Sequence, residues 1–318
     1  MLKKPIYLLF LILLLSLSSC RNSSKTDRYA IVTSFNIENS VIDSMFSLSV
    51  GNGEFKFAVD VTGLQTFSEF YSHGNFLRTK SYWYKSNPSG NQLGLIGLLI
   101  LNEDGKEISI KDISNPVQKL DLWTGEIDSK FYIKGVPVHL QTVCHPDYDM
   151  ISVKIISGLI GKKRLKIKIN FPEEASSVSG YNSNYPDKPV SVILPDTNNL
   201  TFFRSRFNNS EYSVILWRNN ADLQEINKYQ YCLDPVRADT VYSFSCQYLN
   251  NTENGRIQTF GETETASRKS WGRFWNNLDD FYFRGGSGLK SYDFSRDKIL
   301  TLYLNKIGGI RFSDKYQN

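Results

Sequence analysis

Ser47–Phe67 reads SLSVGNGEFKFAVDVTGLQTF, and this stretch decides the fold. Leu48 and Val50 alternate with serines until Gly51-Asn52-Gly53 interrupts them. Beyond the interruption Phe55, Phe57, Val59 and Val61 fall on one side of a strand, with Lys56, Ala58 and Asp60 on the other. Apolar alternation of period two on both sides of an Asn-Gly pair predicts a β-hairpin closed by a tight turn. Asn and Gly suit that turn because they accept positive φ at least cost. The hairpin's apolar side has to be buried, so the chain that follows is expected to lay sheet against it.

The composition agrees. The chain has 318 residues, 41% hydrophobic and 22% charged, enough to bury the core of one large β domain or two smaller ones. Its 20 Phe, 18 Tyr and 5 Trp favour sheet over helix. Leu95–Leu101 (LIGLLIL) reads as a strand buried on both faces, and Asn102-Glu103-Asp104-Gly105 turns it into Glu107–Ile110. Phe131–Ile133 and Val136–Val143 flank the turn Lys134-Gly135. Met150–Ile156, Arg164–Asn170, Thr201–Phe207, Tyr212–Trp217, Tyr229–Leu233 and Val241–Tyr248 complete the strands, and Ser176–Pro189 reads as a polar loop. Short strands separated by Gly, Asn and Pro turns mean an all-β chain, a sandwich or a barrel, and a large antiparallel β-sandwich is the expected fold.

After Phe260 the period changes. Trp271, Phe274 and Trp275 have the i, i+3, i+4 spacing of one helical face, with Thr263 and Thr265 as candidate caps. Gly285-Gly286-Ser287-Gly288 breaks the chain before a second helix, Asp293–Ile307. Its stripe Ile299, Tyr303 and Ile307, flanked by Leu300 and Leu304, ends at Gly308-Gly309. So wide an apolar face needs a partner, and the residues downstream offer none.

Residues 1–20 stand outside the fold. Lys3 and Lys4 precede the apolar run Ile6–Leu15, which ends in Leu17-Ser18-Ser19-Cys20, a signal-peptide plan. Small residues directly before a cysteine resemble the lipobox of a bacterial lipoprotein, which makes Cys20 the lipidation site and the membrane a partner through it. The chain is then exported and lipid-anchored to a bacterial membrane, on its periplasmic or outer-membrane face. Residues 21–28 form a tether, 29–260 the sandwich and 261–318 a helical linker. Removing Lys3 and Lys4 with the signal takes the net charge from +5 to +3, which is mild and points to no nucleic acid. Three cysteines remain. Cys232 and Cys246 are the better candidates for a disulfide, while Cys144 stays a buried thiol.

Chemistry-bearing motifs are sparse. His139 and His145 share a strand face but stand roughly 20 Å apart at ~3.3 Å per residue, so they define no metal site. Ser287-Gly288-Leu289-Lys290 is a lone S-x-x-K in a glycine-rich break, and neither a dinucleotide fingerprint nor a P-loop occurs, so no cofactor is indicated. Glycoside cleavage needs two flanking carboxyls. Asp121 and Glu126 bracket LWTG, Glu173-Glu174 sit in a loop and Asp279-Asp280 in the linker, yet nothing fixes a separation and no pair is assigned as catalytic. Tyr82-Trp83-Tyr84 and Trp123 read either as core rings or as a stacking surface for sugar rings. Trp83, Tyr84 and Trp123 are the candidate sugar contacts.

Several segments resemble the amino-terminal β-sandwich domain of bacterial six-hairpin glycosidases related to glycoside hydrolase family 65. They are Asp27–Asn36 (DRYAIVTSFN), Leu48–Phe67, Leu93–Leu98, Leu120–Glu126 (LDLWTGE), Gly135–Val138, Thr142–Pro146 (TVCHP) and Trp271–Trp275 (WGRFW), in that order. The resemblance implies a supersandwich of the mutarotase-like type, followed in that family by an (α/α)6 barrel that carries the catalytic acid. Asp297–Ile307 resembles the helix leading into the barrel, so no catalytic residue carries over to this sequence. It implies carbohydrate as a partner, and a catalytic barrel supplied separately as another. Where relatives have Trp-His-Ser after the aromatic run, this chain has Tyr84-Lys85-Ser86, which departs from the sugar contact of that His. The expected function is therefore a non-catalytic, lipid-anchored sandwich domain of a truncated or split glycosidase. The alternatives are one half of an active glycoside hydrolase, or a stand-alone sugar-binding module.

Overall fold

The structure, a computed structural model, describes residues 26–72, 81–83, 93–171, 190–195, 200–207, 210–237, 239–249, 255–279, 283 and 290–308. Cys20 and the signal segment, the loop 176–189, Tyr84 and the glycine-rich break at 285–288 lie outside them.

In chain order the elements begin with helix α1 (Arg28–Thr33) and strands β1 (Ile37–Asn39), β2 (Leu48–Gly51), β3 (Phe55–Val59), β4 (Ser81–Trp83) and β5 (Leu95–Ile100). Then come β6 (Ile113–Asp121), β7 (Glu126–Ile133), β8 (Val136–Cys144), β9 (Met150–Ser157), the one-turn helix α2 (Gly158–Gly161) and β10 (Leu165–Asn170). The remainder is β11 (Val190–Pro195), β12 (Leu200–Phe207), β13 (Ser210–Trp217), β14 (Ala221–Asn227), β15 (Gln230–Pro235), β16 (Val241–Leu249), α3 (Phe260–Asn277) and α4 (Lys290–Lys306).

These make an all-β sandwich of antiparallel sheets with a short helical segment at its C-terminal end. The large sheet runs β1-β6-β7-β8-β9-β16-β13-β12-β11. Against it lie a four-stranded sheet, β14-β15-β10-β5, and a three-stranded one, β2-β3-β4. One continuous core joins all three. Phe55 of the hairpin meets Tyr248 of β16 at 5.3 Å between ring centroids, and Phe203 of β12 meets Tyr231 of β15 at 4.9 Å. Each fully buried aliphatic or aromatic side chain contributes about 1.5–3 kcal/mol.

The hairpin forms as the alternation requires, with Leu48 opposite Val59 and Val50 opposite Phe57. Its loop differs by one residue. The Asn52 N–H donates to the Phe55 carbonyl at 3.1 Å, so the central pair is Gly53-Glu54, and Gly53 alone has positive φ, 104°. Glycine at the first central position is what a II′-type turn needs. Asn52 serves the turn through its side chain, whose Oδ1 accepts from the Glu54 and Phe55 N–H groups.

Val61 does not extend the strand. After Val59 the chain folds into a buried loop that ties the sheets together. Gln65 accepts from the Ile96 N–H and donates to the Ala58 carbonyl; Thr66 accepts from the Leu98 N–H. Gln118 of β6 donates to the Asp60 carbonyl, and Thr142 of β8 donates to that of Gly63. Glu107–Ile110 makes only an isolated bridge between Glu107 and Leu101 and is no strand.

Cys232 and Cys246 are free and buried, not bridged. The first lies on β15 of the four-stranded sheet and the second on β16 of the large one, so they belong to different layers. They are not neighbours in one meander, as the sequence order suggests.

Both C-terminal helices are packed on the sandwich. The cap of α3 is Thr259, in a reciprocal box with Glu262, rather than Thr263 or Thr265. Thr263 lies a turn further on and accepts from Ser152 of β9 at 2.8 Å. The stripe Ile299, Tyr303 and Ile307 of α4 does find a partner, upstream rather than downstream. All three are at most 2% exposed. The Tyr303 hydroxyl donates to the Ser49 carbonyl of β2, and its ring stacks on Trp271 of α3 at 4.8 Å. Gly51 accommodates the helix end, since a Cβ there would lie 2.6 Å from the Ile307 carbonyl oxygen.

Candidate functional site

The turn between β6 and β7, Asp121-Leu122-Trp123-Thr124-Gly125-Glu126, is where acids, aromatic rings and the helices α1 and α3 converge. Asp121 and Glu126 are register partners, so their side chains leave the sheet on the same side. Asp121 Oδ1 accepts from the backbone N–H groups of Trp123 (2.8 Å) and Thr124 (3.3 Å), which fixes the turn. The turn is further held by the Leu122 N–H, which donates to Asn36 Oδ1 at 2.9 Å.

One face of α3 grips the other side of this turn. Ser267 donates to the Thr124 carbonyl, Arg268 to Glu126 Oε2 (2.8 Å) and the Trp275 indole to the Leu122 carbonyl. Trp271 presses on Gly125, where φ is 69° and a Cβ would come within 1.9 Å of the indole nitrogen. Glycine is therefore required twice over, by conformation and by space.

Glu126 is buried, and its two oxygens are both occupied, Oε1 by Gln141 (2.7 Å) and Oε2 by Arg268. Desolvation raises its pKa, while Gln141 and Arg268 pull the other way. Arg268, despite the opposing effect of its own desolvation, is held above its ordinary value by Glu264 and Glu126. Asp60 is the most buried acid among the described residues and is raised to about 6 by desolvation, offset by donors from Phe67 and Thr62.

Trp123 is half-buried against the core, and its ring meets Tyr29 of α1 edge-on at 5.3 Å and 81°. Tyr29 is 57% exposed. Its helix is short but clamped, because Arg28 donates to the carbonyls of Trp275 (3.0 Å) and Asn276 (2.6 Å) at the end of α3 and covers the Phe283 ring. Asp27 caps α1 through the Ala30 N–H.

Of the three expected sugar contacts, Trp123 belongs to this turn. Trp83 lies on β4 of the three-stranded sheet, opposite Phe55, whereas Trp123 is in the large sheet's β6–β7 turn. Tyr84 lies outside the described residues. Tyr29 and Arg268 were missed in the sequence. Tyr29 sits far from Trp123 in the chain with no local pattern to link them, and Arg268 falls on an exposed helical face whose partner Glu126 belongs to a distant strand.

His139 and His145 go separate ways. His139 pairs with Asp128 at 2.5 Å on the open face of the sheet. His145 is buried, accepts the Asp147 and Tyr148 N–H groups at Nδ1 and stacks on Tyr148 at 4.5 Å. Among the described residues no group of three His, Cys, Asp or Glu side chains is gathered as metal ligands would be.

No protein-family model matches the sequence, and no curated protein matches it. Solved structures do. One, described as "Putative kojibiose phosphorylase from human microbiome", is similar over 88% of this chain and 42% of its own, at 10% identity and a TM-score of 0.45. This chain thus spans less than half the length of that protein.

Proposed function

We propose that this chain is the β-sandwich domain of a six-hairpin glycosidase system, lipid-anchored through Cys20, that contacts carbohydrate without catalysing its cleavage. A barrel carried by another segment or another chain supplies the catalytic acids. The observation that carries the non-catalytic part is the state of Glu126. It is the buried carboxylate of the best-built polar cluster, yet Gln141 and Arg268 occupy both oxygens and α3 lies over it. Its strand partner Asp121 holds its own turn. Cleavage of a glycosidic bond needs two carboxyls facing each other across room for the sugar. The ordered sequence landmarks support the family part of the reading.

A second reading, a stand-alone sugar-binding module, is favoured by the exposed Tyr29 ring against Trp123.

The test is a hydrolysis and phosphorolysis assay of purified Arg21–Asn318 on a glycan panel. The expected result is no turnover. Robust turnover abolished by a single Asp or Glu substitution would overturn the proposal. For the anchor, Cys20→Ala is expected to lose palmitate labelling and membrane association.

A further inference from the structure

The geometry points to Tyr29 and Trp123 as a two-ring platform for the apolar face of a neutral pyranose. This rests on the carbohydrate-contact reading above and gives it a place and a ligand class.

Three observations carry it. Both rings are held from behind. Asp121 and Asn36 fix the Trp123 turn, and Arg28 fixes α1 on the end of α3. A ring that is both exposed and pre-positioned loses little freedom when a ligand lands on it. Second, the rings stand at 81°, so together they form a floor and a wall rather than a stack. A sugar's axial C–H groups meet the electron-rich face of one ring while the other closes the side. The Tyr29 hydroxyl has no partner among the described residues, and it is placed to bond a sugar hydroxyl.

Third, the charges of the two segments disfavour an anionic ligand. Arg28 is engaged with the end of α3, while Asp27, exposed, caps α1 and Asp121 caps its turn. These two carboxylates repel a uronic acid, and an anionic membrane likewise, which favours a neutral sugar.

The experiment uses the full chain, with neutral α- and β-gluco-oligosaccharides, an oligogalacturonate and anionic phosphatidylglycerol vesicles as probes. Binding is read by tryptophan fluorescence and by affinity electrophoresis. A neutral oligosaccharide is expected to bind. Tyr29→Ala is expected to weaken it about tenfold, and Tyr29→Phe by a smaller factor, through loss of the hydroxyl alone. Trp123→Phe, which keeps an aromatic ring in the turn, should weaken binding while leaving the circular dichroism spectrum unchanged. Neutral-sugar binding that survives both Tyr29→Ala and Trp123→Phe overturns the platform but leaves the carbohydrate reading standing. No binding of any glycan overturns both. Preference for the oligogalacturonate, or vesicle binding lost in Tyr29→Ala without glycan binding, also overturns the platform.

Discussion

The rings of Trp271 and Tyr303 lie parallel, 4.8 Å apart and 11° from coplanar orientation, and bind the two C-terminal helices into one unit. Lys306 Nζ stands over the same indole at 4.8 Å and over Phe274 at 5.2 Å. The Tyr303 hydroxyl continues the link to the Ser49 carbonyl of the β2–β3 hairpin. Tyr303→Phe is expected to cost about 0.5–1.5 kcal/mol, the value of one hydrogen bond, and Tyr303→Ala about 3–5 kcal/mol. Urea unfolding of the two variants checks both, and a cost near zero for the alanine would show that α4 is not seated as described.

Asp60 gives a second prediction, with a sign that separates charge from hydrogen bonding. Its oxygens accept from the Thr62 N–H, the Thr62 hydroxyl and the Phe67 N–H at 2.6–2.8 Å. An asparagine removes the buried charge but turns an NH2 group toward a donor. Asp60→Asn should therefore destabilise the domain by about 1–3 kcal/mol, not stabilise it. The folded-state pKa, near 6, lies above the ordinary 3.8, so the folded state binds the extra proton between those values. Stability from this group is present below 3.8 and is lost as pH rises through 6. Urea midpoints measured from pH 4 to 7 should show this slope in the parent and lose it in Asp60→Asn.

How much of this was legible depends on where the deciding contacts lie. The hairpin was readable because period-two alternation and the glycine turn are local. Strand β6 was not, because Asn115 at φ 48° and Pro116 insert a bulge between Ser114 and Val117 that breaks the alternation. Strand β14 hides for another reason, since ADLQEIN is an edge strand with Ile226 51% exposed and an apolar side of only Ala221 and Leu223. The capping box Thr259–Glu262 was present as T-x-x-E but precedes the aromatic stripe by three turns. Trp123 was legible as an aromatic candidate, but its partner Tyr29 is set only by the packing of α1 on the end of α3. Arg268 likewise gains meaning only when α3 crosses the large sheet.

Gly125 supplies a third prediction. Its φ of 69° and the Trp271 indole directly above it both forbid a side chain. Gly125→Ala should cost about 1–3 kcal/mol from overpacking, with roughly 1–2 kcal/mol more for the left-handed backbone. Because Trp271 must move, its fluorescence maximum should shift red in the folded variant. An unshifted spectrum with parental stability would contradict the contact.

His145 predicts a slope opposite to that of Asp60. Desolvation lowers its pKa, with Asp147 and Gln258 opposing, and Nδ1 must stay unprotonated to accept two backbone N–H groups. A depressed pKa means the unfolded chain takes up the proton first. The stability contributed by neutral His145 is therefore present above pH 6.5 and is lost as the pH falls below it. The imidazole resonances, followed by NMR, should stay in the neutral form below pH 6.5, and His145→Gln should flatten the acid limb of the stability curve.

The cysteines offer a test of the interior itself. Cys144, Cys232 and Cys246 are buried and free, and desolvation raises all three thiol pKa values, that of Cys246 to about 12. The thiolate is the reactive form, so neither access nor ionisation favours attack at neutral pH. Cys246 lies between the sheets at the strand register that joins Leu216 to Ile151, so its exposure requires the layers to separate. A Cys20→Ala chain should thus show no fast reaction with a thiol-specific disulfide reagent when folded and three equivalents in denaturant. The rate for Cys246 should follow global unfolding, slowing as denaturant is withdrawn in proportion to the unfolded fraction. Cys232, on β15 of the smaller sheet, should react through a lower opening barrier than Cys246. A fast native reaction at Cys246, located by mass spectrometry, would mean that the two layers are not closed over one another as the core packing requires.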